Sequence, residues 1–179
     1  FALAAEEYNS ECYEGGYALM HYFAKQSADY DRVKEGSSWD AVNRCVVLDS
    51  SFTGRYDFRR LSTNVKRVDA SSVTAYISII ANNDQGQTFF AGTGGTWFNS
   101  GDKNDVFYGG AGVDTINFAG TDGEDTVYNF ESGKDILYFF DDFYWKKGKI
   151  SGADVTLEHG EGKITLKDAA LKKIHIQYS

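Results

Sequence analysis

No proline occurs among the 179 residues, and cysteine, methionine and histidine are scarce, at two, one and three. Without proline, turns have to come from glycine and aspartate, which close tightly and can be bridged by a cation. Cys12 and Cys45 form no CxxC or other metal-ligand spacing, which argues against a zinc site. They either pair as one disulfide in an oxidising compartment or remain separate buried thiols. No apolar run reaches 18 residues, and the longest clusters, such as 46–48 and 79–81, are far too short to cross a bilayer. Basic residues are in deficit, 18 Lys and Arg against 26 Asp and Glu, for a net charge of -8. That balance argues against a nucleic-acid binder, which needs clustered Lys and Arg, and suits cations or basic partners. Catalytic signatures are also missing: there is no G-x-S-x-G elbow, P-loop, zinc-deaminase or metalloprotease motif. His21, His159 and His175 lie far apart in sequence, so enzyme activity within these residues is not expected.

What is present is a core-forming chain with one unusual segment. A content of 42% apolar and 16% aromatic residues is enough to bury a core, which sets disorder aside. Between Gly101 and Asp142 stand ten acids (Asp102, Asp105, Asp114, Asp122, Glu124, Asp125, Glu131, Asp135, Asp141, Asp142) and two bases, Lys103 and Lys134. That segment carries the whole formal imbalance, and eleven of the nineteen glycines fall between Gly86 and Gly133. Three stretches follow. Residues 1–64 read as part-helical: Leu19, Met20, Phe23 and Ala24 have helical spacing, and Ser38-Trp39-Asp40-Ala41-Val42 looks like a cap opening a second helix through Val47. Residues 65–140 read as strands between polar corners. Residues 141–179 read as a small antiparallel finish, from Lys149-Ile150 to Lys173-Ile174-His175-Ile176. The chain begins with Phe1 rather than Met, which suggests a fragment or processed product. Ala2-Leu3-Ala4 has the small-x-small form of a signal-peptidase site.

A nine-residue period runs through the middle. The windows are 91–99 (AGTGGTWFN), 100–108 (SGDKNDVFY) and 109–117 (GGAGVDTIN), then 120–128 (GTDGEDTVY) and 130–138 (FESGKDILY) after short insertions. The sixth place reads Thr96, Asp105, Asp114, Asp125, Asp135, and the eighth reads Phe98, Phe107, Ile116, Val127, Leu137. Six Gly-rich residues suffice for a turn and three for a short strand whose middle side chain enters a narrow core. One repeat buries nothing alone, so the strands are expected to stack as a solenoid, gathering carboxylates and turn carbonyls from two coils. Calcium, a hard cation taking six to eight oxygens in flexible geometry, fits that mixture better than magnesium. Without it the carboxylates repel, so folding is expected to require calcium.

Residues 109–117 match G-G-x-G-x-D-x-U-x in full, and the chain resembles the RTX proteins that carry this nonapeptide. The run from Asp125 to Leu137 is similar to the D-x-I-x-x-F-x-x-G-x-D-x-I/L tail that often follows such repeats. The resemblance covers residues from about 65 onwards and is best over 92–138, while residues 1–60 match no family. It implies a parallel β-roll with calcium in its turns, in a protein exported from a Gram-negative bacterium by a type I system. It also implies Asp105, Asp114, Asp125 and Asp135 as acid ligands, with carbonyls from Gly101, Gly109, Gly110, Gly112, Gly120 and Gly123. Because turns alternate sides, each site would be shared by coils n and n+2, pairing Asp105 with Asp125 and Asp114 with Asp135. Thr96 replaces the first acid, Asp102 and Lys103 stand where glycines belong, and the insertions at Phe118-Ala119 and Asn129 break the phase. Two calcium sites are therefore expected rather than four, with the coil at 82–90 stacking by packing alone.

The expected fold is mainly β: a parallel β-roll after a part-helical start, closed by an antiparallel cap. The expected function is an extracellular, calcium-binding structural protein that self-assembles as a surface-layer, adhesin or filament subunit. The alternative is the C-terminal secretion and folding module of an exported hydrolase or toxin. Some RTX proteins cleave themselves at Asp-Pro, which a chain without proline cannot do. An aromatic sugar-binding or ice-binding face ranks last, since Thr96, Thr115 and Thr126 share no one place in the repeat. The aromatics, Phe107, Tyr108, Phe118, Phe130, Phe139, Phe140, Phe143, Tyr144 and Trp145, are expected to fill and cap the core.

Overall fold

A computed structural model describes residues 35–40, 42–60, 65–118, 123–139, 146–159 and 161–178. Short strands follow one another along the chain: β1 (Ser37–Asp40), β2 (Cys45–Leu48), β3 (Gly54–Asp57), β4 (Arg67–Asp69), β5 (Ile77–Ile80), β6 (Thr88–Phe90), β7 (Thr96–Asn99) and β8 (Val106–Tyr108). They continue as β9 (Thr115–Phe118), β10 (Glu124–Tyr128), β11 (Ile136–Phe139), β12 (Lys146–Ser151), β13 (Asp154–His159), β14 (Gly162–Leu166) and β15 (His175–Tyr178). From β2 to β11 the strands alternate between two sheets, so each pair of strands with its two turns is one coil of a parallel solenoid. The first sheet runs β1-β2-β4-β6-β8-β10-β14-β13-β12 and the second β15-β11-β9-β7-β5-β3.

The register explains why a nine-residue period suffices. In the first sheet Val46, Val68, Phe89, Phe107, Val127 and Leu166 fall in one row, and all are buried. In the second, Tyr56, Ile79, Phe98, Ile116 and Leu137 form the facing row, also buried. The rows interdigitate: the Phe98 ring lies 4.6 Å from that of Phe89 and 5.0 Å from that of Phe107, centroid to centroid. All five eighth-place residues of the repeat are in this core. So are Phe118, Phe130 and Phe139, while Phe140, Phe143, Tyr144 and Trp145 lie outside the described residues.

Three expectations change. The helix expected to open at Ser38 is a hairpin, β1 pairing antiparallel with β2. Asp40 makes the same local bonds that an N-cap would, its Oδ1 accepting the N–H of Val42 at 3.0 Å and of Asn43 at 3.1 Å. The following backbone turns back at Arg44, with φ of 52°, and the β-branched run of Val46 and Val47 extends as a strand. The helix expected around Leu19, Met20, Phe23 and Ala24 lies outside the described residues. Second, parallel stacking starts upstream of residue 65, since β2 pairs with β4 and β3 with β5. Third, the C-terminal finish is only partly antiparallel. β12, β13 and β14 meander as expected, but β14 also lies parallel to β10 and β15 parallel to β11. Leu166 and Ile176 thereby extend the two inner rows by one coil, which apolar burial favours over a separate hairpin.

Candidate functional site

The sixth-place residue of each repeat stands at or next to the start of its strand, and parallel register stacks these positions into two rows. Along the first sheet the row contains Gln87, Asp105 and Asp125; along the second, Thr96, Asp114 and Asp135. All are buried. Nonapeptides n and n+2, which stack as neighbouring coils of the solenoid, are joined by a backbone-to-carboxylate ladder. The N–H of Asp105 donates to Asp125 Oδ1 at 2.6 Å, and that of Asp114 to Asp135 Oδ1 at 3.0 Å. One coil further up, the Gln87 N–H donates to Asp105 Oδ1 at 2.7 Å. The second oxygen closes each carboxylate's own turn: Oδ2 of Asp105, Asp114 and Asp135 accepts the N–H of Gly101 (3.0 Å), Gly110 (2.9 Å) and Glu131 (2.7 Å). Aspartate is suited to the sixth place because its short side chain reaches both its own turn and the next coil.

The electrostatics of this arrangement are costly. Burial drives the Asp114 pKa up from 3.8 to about 7, against the Gly110 amide, which lowers it, and with the carboxylate of Asp135 adding to the rise. Asp135 is raised as well, by burial, although the amides of Glu131 and Asp114 work against it. Asp114 Oδ1 is buried with no hydrogen-bond partner of normal geometry, and Thr96 Oγ1 one coil above is in the same state. Among the described residues no group of three or more His, Cys, Asp and Glu could hold a metal. A cation here would therefore take two carboxylates per site and complete its shell with carbonyls. Each hydrogen-bonded carboxylate oxygen keeps a lone pair for this, and beyond the Gly110 amide Asp114 is approached only by the N–H and hydroxyl of Thr96, so a hard, oxygen-seeking cation fits the donor set.

The glycines have a second reason to be where they are. A Cβ on Gly101 would lie 2.3 Å from the Asn82 carbonyl oxygen, and one on Gly110 only 2.0 Å from that of Gly92. Gly112 packs as closely on the Gly95 amide. Turn lies on turn, and any side chain would force the coils apart. Gly109 is less confined, at 3.2 Å from the Asn129 oxygen, and Gly123 has a left-handed φ of +52°. Gly120 lies outside the described residues.

Sequence reasoning missed the polar ladder above the acids. The coil at 82–90 does not stack by packing alone: Gln85 and Gln87 each donate a side-chain N–H to the Val65 carbonyl, at 2.8 and 2.9 Å, and Asn82 Nδ2 donates to that of Phe58 at 3.0 Å. The nonapeptide frame carried back one copy would have found it, placing Gln87 sixth and Phe89 eighth. It also missed Lys134, whose Nζ donates to the Ala111 carbonyl and to Glu131 Oε2. On the outer face of the first sheet Phe90, Tyr108 and Tyr128 stack at 4.6 Å, nearly parallel, with the Arg67 guanidinium 4.0 Å above the Phe90 ring. These rings turn their faces to one another, which makes the ladder a packing device rather than a platform for a sugar. Cys45 is buried, its thiol pushed up to about 11 by desolvation; Cys12 lies outside the described residues. No family model, curated protein or solved structure matches the chain.

Proposed function

We propose that this chain is a calcium-binding structural solenoid of the RTX type, working outside the cell, whose folding is coupled to calcium. The observation that carries the reading is the stacking of buried aspartates in pairs across coils, Asp105 with Asp125 and Asp114 with Asp135. Stacked carboxylates in a dry corner are an expense that a hydrophobic solenoid does not need, and a divalent cation converts it into a cross-link between coils. The turn carbonyls of Gly101, Gly109, Gly110, Gly112, Gly120 and Gly123 are the candidates to complete the shells. When bound, the ion neutralises the acids and ties coil to coil.

The reading extends to self-assembly, as a surface-layer, adhesin or filament subunit. The first sheet ends at both sides in antiparallel strands, β1 and β12. The second ends in two parallel strands, β3 and β15, with no further strand on either among the described residues. Such edges favour addition of another copy. No described helix is long and apolar enough to cross a membrane.

A calcium titration followed by far-UV circular dichroism and light scattering tests both parts. A coil-to-β transition with growth to large particles supports the full reading. The same transition with a stable monomer retains the calcium roll and favours the secretion and folding module of a longer exported protein. A chain insensitive to calcium overturns the proposal.

A further inference from the structure

The two sheets are unequal, nine strands against six, and the extra strands are β1 at one end of the first sheet and β13 with β12 at the other. The first sheet therefore overhangs the second on both sides. Among the described residues no strand pairs with the outer edge of β1 or of β12. The overhanging strands continue the inner row: Trp39 stands beside Val46 at one end, and Leu166, Val155 and Ile150 stand side by side at the other. Val46, Leu166 and Val155 are buried and Trp39 is packed against the core, but Ile150 is 63% exposed. An isoleucine on the core side of a free edge lacks the apolar neighbour that every other member of its row has.

The two edges match in direction. β14 lies parallel to the stacked strands, β13 antiparallel to β14 and β12 antiparallel to β13, so β12 points the same way as the stack, while β1 is antiparallel to it. Copies placed end to end along the roll axis thus present β12 and β1 to each other as an antiparallel pair. With Ile150 opposite Trp39, the inner row passes unbroken from one copy to the next. That register puts Lys149 directly opposite Asp40 and Ser151 opposite Ser38. Lys149 is exposed, and Asp40 Oδ2, which accepts Asn43 Nδ2 at 2.6 Å, keeps a lone pair for it. Pairing each edge with its own kind is disfavoured: β12 carries Lys146, Lys147 and Lys149, and β1 carries Asp40 just after Glu35, so like charges would gather.

We propose that copies of this chain join head to tail through the first sheet, β12 of one pairing antiparallel with β1 of the next, with Ile150 against Trp39 and Lys149 against Asp40. The inference rests on the self-assembly part of the proposed function and names its contact. A joint between two different edges does not close on itself, so copies add into a filament. In that joint β13, β12 and the next copy's β1 separate β14 from the next β2, which holds β15 about 19 Å from the next β3 at roughly 4.8 Å per strand.

The test is light scattering of the intact chain in calcium chloride, with far-UV circular dichroism on the same samples. The native chain grows. K149D and D40K each set like charges face to face, so the concentration at which growth begins should rise about tenfold or more, with the calcium-induced circular dichroism change kept. D40K and K149D together in one chain restore an opposite pair and should regain growth, as should an equimolar mixture of the two single variants; a merely structural role for either residue would give neither. Growth of both single variants like the native chain, or no recovery in the double variant and the mixture, overturns the proposal and leaves self-assembly standing. Asp40 also holds its own hairpin turn, so if D40K loses the circular dichroism change, hydrogen exchange of native particles against dilute native monomer decides. Protection gained at 37–40 and 149–151 supports the joint, and unchanged protection there overturns it. A native chain that undergoes the circular dichroism change but stays monomeric at every concentration overturns the self-assembly reading and the joint with it.

Discussion

Asp114 sits in a corner row between Thr96 and Asp135, one oxygen bound by the Gly110 amide, with the N–H and hydroxyl of Thr96 also acting on the carboxylate. Its folded pKa, about 7, lies above the 3.8 of a free carboxylate, so between those values the folded chain binds the proton more tightly than the unfolded one. The sign follows: in chelator, stability is greatest towards the lower value and falls as pH rises to about 7, by up to roughly 4 kcal/mol from this group. Asp135 acts in the same direction. The metal-free chain should therefore gain β structure in far-UV circular dichroism as pH is lowered through this window, and D114N should need less acidification to do so; loss of β structure on lowering the pH would contradict the burial argument. Glycine makes a second residue-scale prediction. G110A places its Cβ against the Gly92 carbonyl and should cost about 1–3 kcal/mol through displaced backbone. G133A meets open space and should cost only about 1–2 kcal/mol, from its φ of +75°. Both are read by denaturant midpoint.

A strand of three or four residues is unstable alone, and its cohesion comes from rows that run across the sheets. F107A removes the ring that packs on Phe98 and should destabilise by about 3–5 kcal/mol, with loss of cooperativity in thermal melts. Y108A breaks two ring stacks on the outer face, with Phe90 and Tyr128, and should cost about 1–3 kcal/mol with a visible change in near-UV circular dichroism. This is also the scale at which sequence and structure part company. The eighth-place residues were legible as core because an apolar side chain every nine residues has no other use. Ser38 to Val47 was not legible, because an aspartate binding the N–H groups two and three residues on serves an N-cap and a hairpin turn alike. Pairing decided between them: β2 has β4 beside it, and an edge strand gains more from the sheet than from an isolated helical turn.

Among the described residues the molecule is a stack whose first sheet ends in the antiparallel strands β1 and β12 and whose second sheet presents the parallel strands β3 and β15 as its outermost. If copies add along that sheet, charge on the outer side chains of β15 should oppose it. His175 and Gln177 are exposed, and the double substitution H175K with Q177K should leave the calcium-induced circular dichroism change intact while reducing growth in light scattering. Undiminished growth would place the contact elsewhere.

The sequence by itself determined the period, the inward row and the acids of the sixth place, because a repeat has to satisfy the same local geometry in every copy. The RTX resemblance also implied that nonapeptides n and n+2 lie against one another, since turns in such a roll alternate sides. Only the tertiary structure decided the rest. β14 and β15 close the roll in parallel, after a hairpin, because Leu166 and Ile176 complete apolar rows begun far upstream. The carboxylates bind backbone amides above and within their own turns, which depends on the exact stacking of one coil on another. Lys134, one of two bases in an acidic segment, acquires its place only when Ala111, distant in sequence, is brought over it. Periodicity is written locally; the partners of a charge are fixed by the fold.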